Sequence, residues 1–357
     1  MGEPHRIGIV GLGVISKQYL ETLRSHPAVR IVAAADLDAA RAEAVAADLD
    51  GCRAMSVEEL TADPSVDTVL NLTIPAAHAA VALAALEHGK NVYGEKPLAA
   101  TFADAQRVMS AAGSAWVGGA PDTVLGTGIQ TARRVIDEDG IGRPVAATAT
   151  WVSAGHERWH PQPDFYYRDG GGPLLDMGPY YLTSLFHLLG PVVRVSGTSS
   201  RPRDTRVIGS GPREGERIPV EIDTHVTGTL EHAGGAISTV TFSFDGTATE
   251  AAPIEVHGET GSLSAPDPNG FDGDVRVFRA GASSWSLVPP AAGYEQASRG
   301  IGLIDFAHGH GRASGSIALH VQEIMTTLLR SAEEGRRIDL TTTAERPPLV
   351  PLASGRA

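Results

Sequence analysis

Through the first third of the chain, short apolar runs alternate with stretches of helical periodicity. Residues 6–12 (RIGIVGL), 30–35 (RIVAAA), 68–74 (TVLNLTI), the run from Asn91 and residues 115–119 read as strands. The stretch from Ser16 to about His26 and residues 38–48, 56–61, 75–88 and 102–112 read as helices. The strand runs show little polar alternation, which suits strands buried on both faces. Ser56 with Glu59 three residues later is a capping box, and Pro75 suits a first helical position. The pattern predicts a doubly wound parallel sheet covered by helices on both faces.

The second half changes character. Residues 126–138 read as a helix. Residues 145–152, 192–198, 224–230, 236–244, 254–257 and 275–278 are extended runs separated by turn signals such as His232-Ala233-Gly234-Gly235 and Gly258-Glu259-Thr260-Gly261. This predicts an antiparallel meander, with Thr- and Ser-rich alternation on a solvated or partner-covered face. Residues 316–333 form an amphipathic helix with Ile317, Val321, Ile324, Leu328 and Leu329 on one side. The stretch after Leu340, with Pro347, Pro348 and Pro351, is expected on the surface.

Composition narrows the class. The chain has 357 residues, enough for two domains with cores of their own. A net charge of -13 argues against nucleic acid and anionic membranes as partners, because phosphate contacts need clustered Lys and Arg. Cys52, the single cysteine, excludes an intrachain disulfide and a multi-cysteine metal site. No signal-peptide pattern and no bilayer-length apolar run is visible, so a soluble cytoplasmic protein is expected.

Two stretches carry candidate chemistry. The first strand enters Gly11-Leu12-Gly13-Val14-Ile15-Ser16, a dinucleotide fingerprint with Ser16 in the third glycine place. Gly11 allows the tight turn, Gly13 lets backbone approach a pyrophosphate, and the helix amino end faces the phosphates. Asp36 closes the second strand. A carboxylate there accepts hydrogen bonds from a ribose and repels a 2′-phosphate, and Leu37 and Asp38 follow rather than Arg, so NAD is expected over NADP. The run from Asn91 ends in Glu95-Lys96-Pro97, a lysine at the carboxyl end of a sheet strand, where ligands of such sheets bind.

Residues 170–183 (GGGPLLDMGPYYLT) are the second stretch. Three glycines let a loop lie close to a ligand. Asp176 and Tyr180, four apart, share one face of the helix that follows. Nearby, His156-Glu157-Arg158-Trp159-His160 spells the HExxH zinc pattern. That chemistry needs a helix, and Pro161 disfavours helical geometry at His160. No metal is expected. A loop bringing His156, Trp159 and His160 over a substrate pocket is the alternative, with the Trp159 face suited to a sugar ring. Asp122, Arg168 and His308 are further substrate-binding candidates.

Gly11-x-Gly13, Asp36, Pro75-x-x-His78 and Gly89-Lys90-x-Val92-x-x-Glu95-Lys96-Pro97 together resemble the Gfo/Idh/MocA family, the glucose-fructose oxidoreductase and inositol dehydrogenase group. The resemblance runs closely from Arg6 to about Ala120. It implies an NAD-binding Rossmann domain over residues 1–122 and a substrate-binding and oligomerisation α+β domain with an open, mostly antiparallel sheet over 123–340. Residues 341–357 form a tail. The implied cofactor contacts are Gly11, Gly13, Val14, Ile15, Asp36, Thr73, Ile74, Pro75, His78, Glu95, Lys96 and Pro97. The family's Gly-Gly-Gly-x-Leu-x-Asp-x-Gly-x-His-x-x-Asp segment matches residues 170–183. Asp176 keeps its first aspartate, Tyr180 stands in place of its histidine, and Thr183 in place of its second aspartate.

The implied activity is oxidation of a secondary alcohol of a sugar, glycoside or cyclitol, or the reverse, by a homodimer or homotetramer. Lys96 would stabilise charge on the reacting oxygen. Tyr180 or a histidine of the Trp159 loop would take the proton, and Asp176 would orient substrate hydroxyls or tune Lys96. Two other functions fit the same motifs. One is a redox-neutral hydrolase or lyase that oxidises a sugar transiently with tightly held NAD; the other is an NAD-binding regulator without catalysis.

Overall fold

A computed structural model describes residues 3–355. The chain forms two compact units. One is built from residues up to Thr127 with Ala292–Gln322 and the segment from Val350, the other from Gly128–Ala291 and Glu323–Leu349. The sequence places divisions after residues 122 and 340; the compact units run past both, because later chain segments return to the first unit.

In the first unit strands and helices alternate: β1 (His5–Val10), α1 (Ser16–Leu23), β2 (Val29–Ala35), α2 (Ala39–Ala47), β3 (Arg53–Ala54), α3 (Val57–Ala62), β4 (Thr68–Asn71), α4 (Pro75–Glu87), β5 (Asn91–Gly94), α5 (Phe102–Ala111) and β6 (Val117–Gly119). All strand pairs are parallel, in the order β3-β2-β1-β4-β5-β6. This is the doubly wound sheet expected from the alternation. Its order reverses between β1 and β4, and ligands of such sheets bind beyond the carboxyl ends at that reversal. Local chemistry sets the helix starts. Ser56 and Glu59 form the capping box on α3, Asp38 caps α2 through the Ala40 N–H, and Thr101 caps α5 through the Asp104 N–H. The four residues of β4 are buried without exception, as a strand covered on both faces requires.

The second unit contains most of α6 (Thr127–Asp137), then β7 (Pro144–Val152), α7 (Pro173–Leu189), β8 (Val192–Ser200), a small hairpin of β9 (Thr205–Val207) and β10 (Arg217–Pro219), β11 (His225–His232), β12 (Ile237–Ser243), β13 (Ile254–Gly258), β14 (Gly261–Ala265), β15 (Val275–Arg279) and β16 (Ser286–Val288). The chain then returns to the first unit with β17 (Tyr294–Glu295) and α8 (Ile301–Ala307). It leaves it along α9 (Gly315–Glu334), adds β18 (Ile338–Asp339) to the second unit, and ends with β19 (Ala353–Ser354) beside β17.

The large sheet of the second unit runs β16-β15-β14-β13-β7-β12-β11-β8-β18. Every neighbouring pair is antiparallel except β7 with β12. It is therefore mixed and mostly antiparallel, but not the simple meander that turn signals suggest. The long connection through α7 lets β7 lie parallel to a much later strand, which a tight turn cannot do. One face is apolar, with Ala147, Ala149, Val195, Val226, Leu230, Val240 and Phe242 buried, and α7 packs on β7, β11 and β12. The alternate positions carry Thr148, Thr150, Thr227, Thr229, Thr239 and Thr241 and are partly or fully exposed. The last segment is not wholly superficial: Val350 is buried, and the Gly293 N–H donates to its carbonyl.

Candidate active site

In the first unit, β1 delivers the chain into the glycine turn. Gly11 has φ +92°, and a Cβ there would lie 2.7 Å from the backbone of Leu72 and Thr73, so no other residue fits. At Gly13 a Cβ would meet nothing within 4 Å. Internal packing therefore does not require a glycine there. Ser16 donates its hydroxyl to the Gly13 carbonyl at 2.7 Å, which ties the third glycine place into the turn. Three large apolar side chains are exposed at the carboxyl edge of this sheet: Val14 at 88%, Leu37 at 101% and Ile74 at 70%. They follow β1 and β4, the strands that flank the reversal, and β2 beside β1. An open backbone approach bordered by exposed apolar groups fits a dinucleotide.

Asp36 lies at the end of β2. It accepts the Leu12 N–H at 2.7 Å and the Asp38 N–H at 2.9 Å, so it braces the glycine turn, while Asp38 is the residue that caps α2. Arg41 stands 3.9 Å from Asp36 and 3.3 Å from Asp38. A reading limited to the two residues after Asp36 misses this arginine, which lies one helical turn further on.

Lys96 follows β5 and is half-buried. Its backbone N–H donates to Glu95 Oε2 at 3.0 Å, and the Lys96–Pro97 peptide is cis. The other Glu95 oxygen accepts the Tyr19 hydroxyl of α1 at 2.8 Å. His78 is buried on α4, with one ring nitrogen 2.7 Å from the Pro97 carbonyl and the other 3.0 Å from that of Thr73. Both partners are acceptors, so a neutral ring serves one at a time. His78 thus ties the turn after β4 to the one after β5. Thr73 in turn donates its hydroxyl to Asn71 Oδ1 at 2.6 Å. Asp122 is fully buried. Its Oδ2 accepts the N–H groups of Gly300 and Gly302 at 2.8 and 3.0 Å, at the start of α8. Burial pushes its carboxyl above the ordinary range despite those donors. It braces its own unit and has no surface to offer a substrate.

In the second unit, α7 starts at Pro173 and carries Asp176 and Tyr180 one turn apart. Pro179 between them cannot donate to the Leu175 carbonyl. Tyr180 is buried and Asp176 partly so. Of the glycines before the helix, Gly171 serves packing: a Cβ there would lie 2.4 Å from the Phe165 carbonyl and 2.7 Å from that of Tyr166, whereas at Gly170 a Cβ would meet nothing within 4 Å. What approaches Gly171 closely is protein backbone.

The HExxH stretch is a short 3-10 turn (His156–Arg158), and its three motif side chains go to different partners. His156 Nε2 lies 2.9 Å from Asp176 Oδ2. Glu157 pairs with Arg206 at 3.1 Å and accepts the Tyr167 hydroxyl. His160 Nδ1 accepts the Gln162 N–H at 3.1 Å. Among the described residues no group of three His, Cys, Asp or Glu is placed to hold a metal. No helix among them is long and apolar enough to cross a membrane.

Trp159 is 59% exposed and donates its indole N–H to His156 Nδ1 at 3.2 Å. His156 joins Trp159 to Asp176, and the His160 ring packs beside Trp159. Arg168 is exposed and only 4.0 Å from Asp164. His308 packs against His26 in the first unit. Arg206 went unnoticed in the sequence. It is buried between Glu157 and Asp245, at 3.1 and 2.5 Å, and also donates to the Phe244 carbonyl at 3.1 Å. An arginine on a three-residue strand inside a charged stretch gives no local sign of burial.

Two family models match the chain. Residues 5–117 match the oxidoreductase family with NAD-binding Rossmann fold, and residues 129–264 match the GFO/IDH/MocA C-terminal domain. The chain is 27% identical over 353 residues to 1,5-anhydro-D-fructose reductase of Ensifer adhaerens, covering 95% of this chain and 99% of that one. It is 28% identical over 277 residues to inositol 2-dehydrogenase 3 of Saccharopolyspora erythraea, covering 74% and 73%. An NAD binding oxidoreductase from Klebsiella pneumoniae superposes with a TM-score of 0.82 at 23% identity, over 96% of this chain and all of that one, and shows the shared fold.

Proposed function

The chain belongs to the Gfo/Idh/MocA oxidoreductase family, and from that premise we propose that it transfers hydride between NAD and a secondary alcohol of a sugar, glycoside or cyclitol. The observation that carries the reading is the carboxyl edge of one parallel sheet, where the Gly11–Gly13 turn, Asp36 and Lys96 follow β1, β2 and β5. The names of the two curated relatives, a sugar reductase and an inositol dehydrogenase, support the substrate class.

The residues that would hold the cofactor are the glycine turn with Val14 and Ile15, Asp36 at the ribose, and Thr73, Ile74, Pro75, Glu95, Lys96 and Pro97 beyond β4 and β5. His78 would act on it through Thr73 and Pro97. NAD, when bound, supplies the hydride acceptor or donor. Lys96 would donate a hydrogen bond to the reacting oxygen and stabilise the negative charge that develops there. Tyr180 would take the hydroxyl proton in oxidation and return it in reduction. A tyrosine has an ordinary pKa of about 10, and a nearby cation lowers that value. Asp176 would accept hydrogen bonds from substrate hydroxyls. Trp159 would offer a ring face to the substrate.

The test is a spectrophotometric screen of sugars, their anhydro derivatives and inositols with NAD and NADP. One equivalent of reduced nicotinamide per ketone formed supports the proposal. Turnover of a glycoside without net reduced nicotinamide would replace it with the redox-neutral reading, and cofactor retention with no turnover would favour a regulator.

A further inference from the structure

The Trp159 loop holds two histidines, and their hydrogen bonds fix the form of each. The indole Nε1 of Trp159 carries a hydrogen and can only donate. It points at His156 Nδ1 from 3.2 Å, so that nitrogen is bare. The ring hydrogen of neutral His156 is then on Nε2, 2.9 Å from Asp176 Oδ2. His160 repeats the arrangement, since its Nδ1 accepts the backbone N–H of Gln162 at 3.1 Å. A neutral histidine in this form has no second lone pair with which to take a substrate proton.

We propose that His156 is a positioning residue: the Trp159 donor at Nδ1 and the Asp176 acceptor at Nε2 together hold its Nε2–H form, and His156 fixes the direction of Asp176 by donating to it. The role given to Asp176 rests on the function proposed above; the state of His156 does not. The ring is held from several sides. Tyr166 lies 4.4 Å away between centroids, Phe244 4.8 Å and Trp151 5.7 Å. Flipping it would break both hydrogen bonds in a packed aromatic box. Glu157, next in the chain, is turned to Arg206 and Tyr167, so the carboxylate that His156 meets is Asp176. The exposed Trp159 is thus more than a stacking surface. Its N–H helps hold the state of a buried ring that holds a carboxylate.

The assignment is tested by proton–nitrogen correlation spectra of isotope-labelled full-length protein at neutral pH, with His156 identified by its loss in His156→Gln. Wild type should show a bare Nδ1 and a hydrogen on Nε2. Trp159→Phe keeps an aromatic ring and removes the donor to Nδ1, while Asp176 still accepts from Nε2, so the Nδ1 signal should shift on losing its hydrogen bond and the hydrogen should stay on Nε2. A hydrogen on Nδ1 in wild type, or a His156 signal unmoved by Trp159→Phe, overturns the assignment. These spectra need no substrate, so they succeed or fail independently of the proposed reaction. On an alcohol that is turned over, His156→Gln can still donate to Asp176 and should stay within about tenfold of wild-type kcat/KM. His156→Leu should lose about 100-fold. Equal losses in the two variants would refute the donor role.

Discussion

The hydroxyl of Tyr19 on α1 donates to Glu95 Oε1 at 2.8 Å, and the other oxygen of that carboxylate holds the backbone N–H of Lys96 at 3.0 Å. One buried carboxylate therefore links the helix after the glycine turn to the lysine after β5. Burial and the Glu95 charge raise the Tyr19 phenol well above its ordinary pKa, so it remains a donor. Tyr19→Phe removes that donor and leaves Glu95 under-satisfied, at a cost of about 1–3 kcal/mol in stability. The expected kinetic effect is a fall in kcat of about 10- to 100-fold through loosened placement of Lys96, with NAD affinity nearly unchanged. Denaturant unfolding, cofactor titration and steady-state kinetics check the three parts. Unchanged kcat in a destabilised variant would leave the link with a structural role alone.

Cofactor choice turns on Asp36 and Arg41. Asp36 would accept ribose hydroxyls and repel a 2′-phosphate, and Arg41, 3.9 Å away, is the nearby cation that a phosphate would seek. NAD is expected to bind at least tenfold more tightly than NADP, about 1.4 kcal/mol. Asp36→Ala should narrow that gap, and Arg41→Ala in the same background should restore it by weakening NADP. Titration of both cofactors against the three proteins measures this. Equal affinities in wild type would defeat the preference, and no effect of Arg41→Ala would remove the arginine from the argument.

What could be read from the sequence follows the range of the interactions involved. The Ser56–Glu59 capping box, the Pro75 helix start, the Gly11 turn and the end of β2 at Asp36 are settled within a few residues, and local chemistry shows them. The pairing of β7 with β12 joins strands some ninety residues apart, and no turn residue announces it. Asp122 is named from the sequence as a substrate-binding candidate. Its partners are Gly300 and Gly302, which no local pattern connects to it. The same holds for Arg206, whose burial depends on Glu157 and Asp245. Within residues 170–172 the glycine signal is real at Gly171, and the backbone it admits is that of residues 165–166.

His187 gives the fold a pH dependence that needs no substrate. It is buried on α7, and burial, with Arg133 and Arg346 adding to it, lowers its pKa from 6.5 to about 3. An unfolded chain binds this proton below about pH 6.5, whereas the native protein does not until about pH 3. The unfolded state binds more protons in that window, so stability falls as pH drops through it. At pH 5 the loss from this one group is about 2 kcal/mol. His187→Gln keeps a polar side chain and removes the titration. The difference in unfolding free energy between wild type and variant should therefore change by about 2 kcal/mol between pH 7 and pH 5. Denaturant titrations at the two pH values decide it. A constant difference would mean that His187 titrates in the native protein as it does in the unfolded chain.

The last prediction concerns Lys96 and Tyr180. The chain has three lysines, Lys17, Lys90 and Lys96, and Lys96 alone follows the carboxyl end of a strand. If it stabilises charge on the reacting oxygen, it matters more in the transition state than in the ground state. Lys96→Ala should then lower kcat by roughly two to three orders of magnitude, with little change in NAD binding. Lys96→Met keeps most of the stem without the charge and should be nearly as poor. Tyr180→Phe tests the proton acceptor. His156 and His160 each accept an N–H at Nδ1, which supports Tyr180 as the proposed acceptor. Tyr180→Phe should cost a factor similar to that of Lys96→Ala and abolish the rising limb of the pH–rate profile. A loss of about tenfold or less, with that limb intact, would return the role to a histidine of the Trp159 loop. It would also mean that substrate frees a ring nitrogen which Trp159 or Gln162 otherwise occupies. Near-normal kcat in Lys96→Ala on the true substrate would end the whole assignment, because neither remaining lysine stands where a reacting oxygen could meet it.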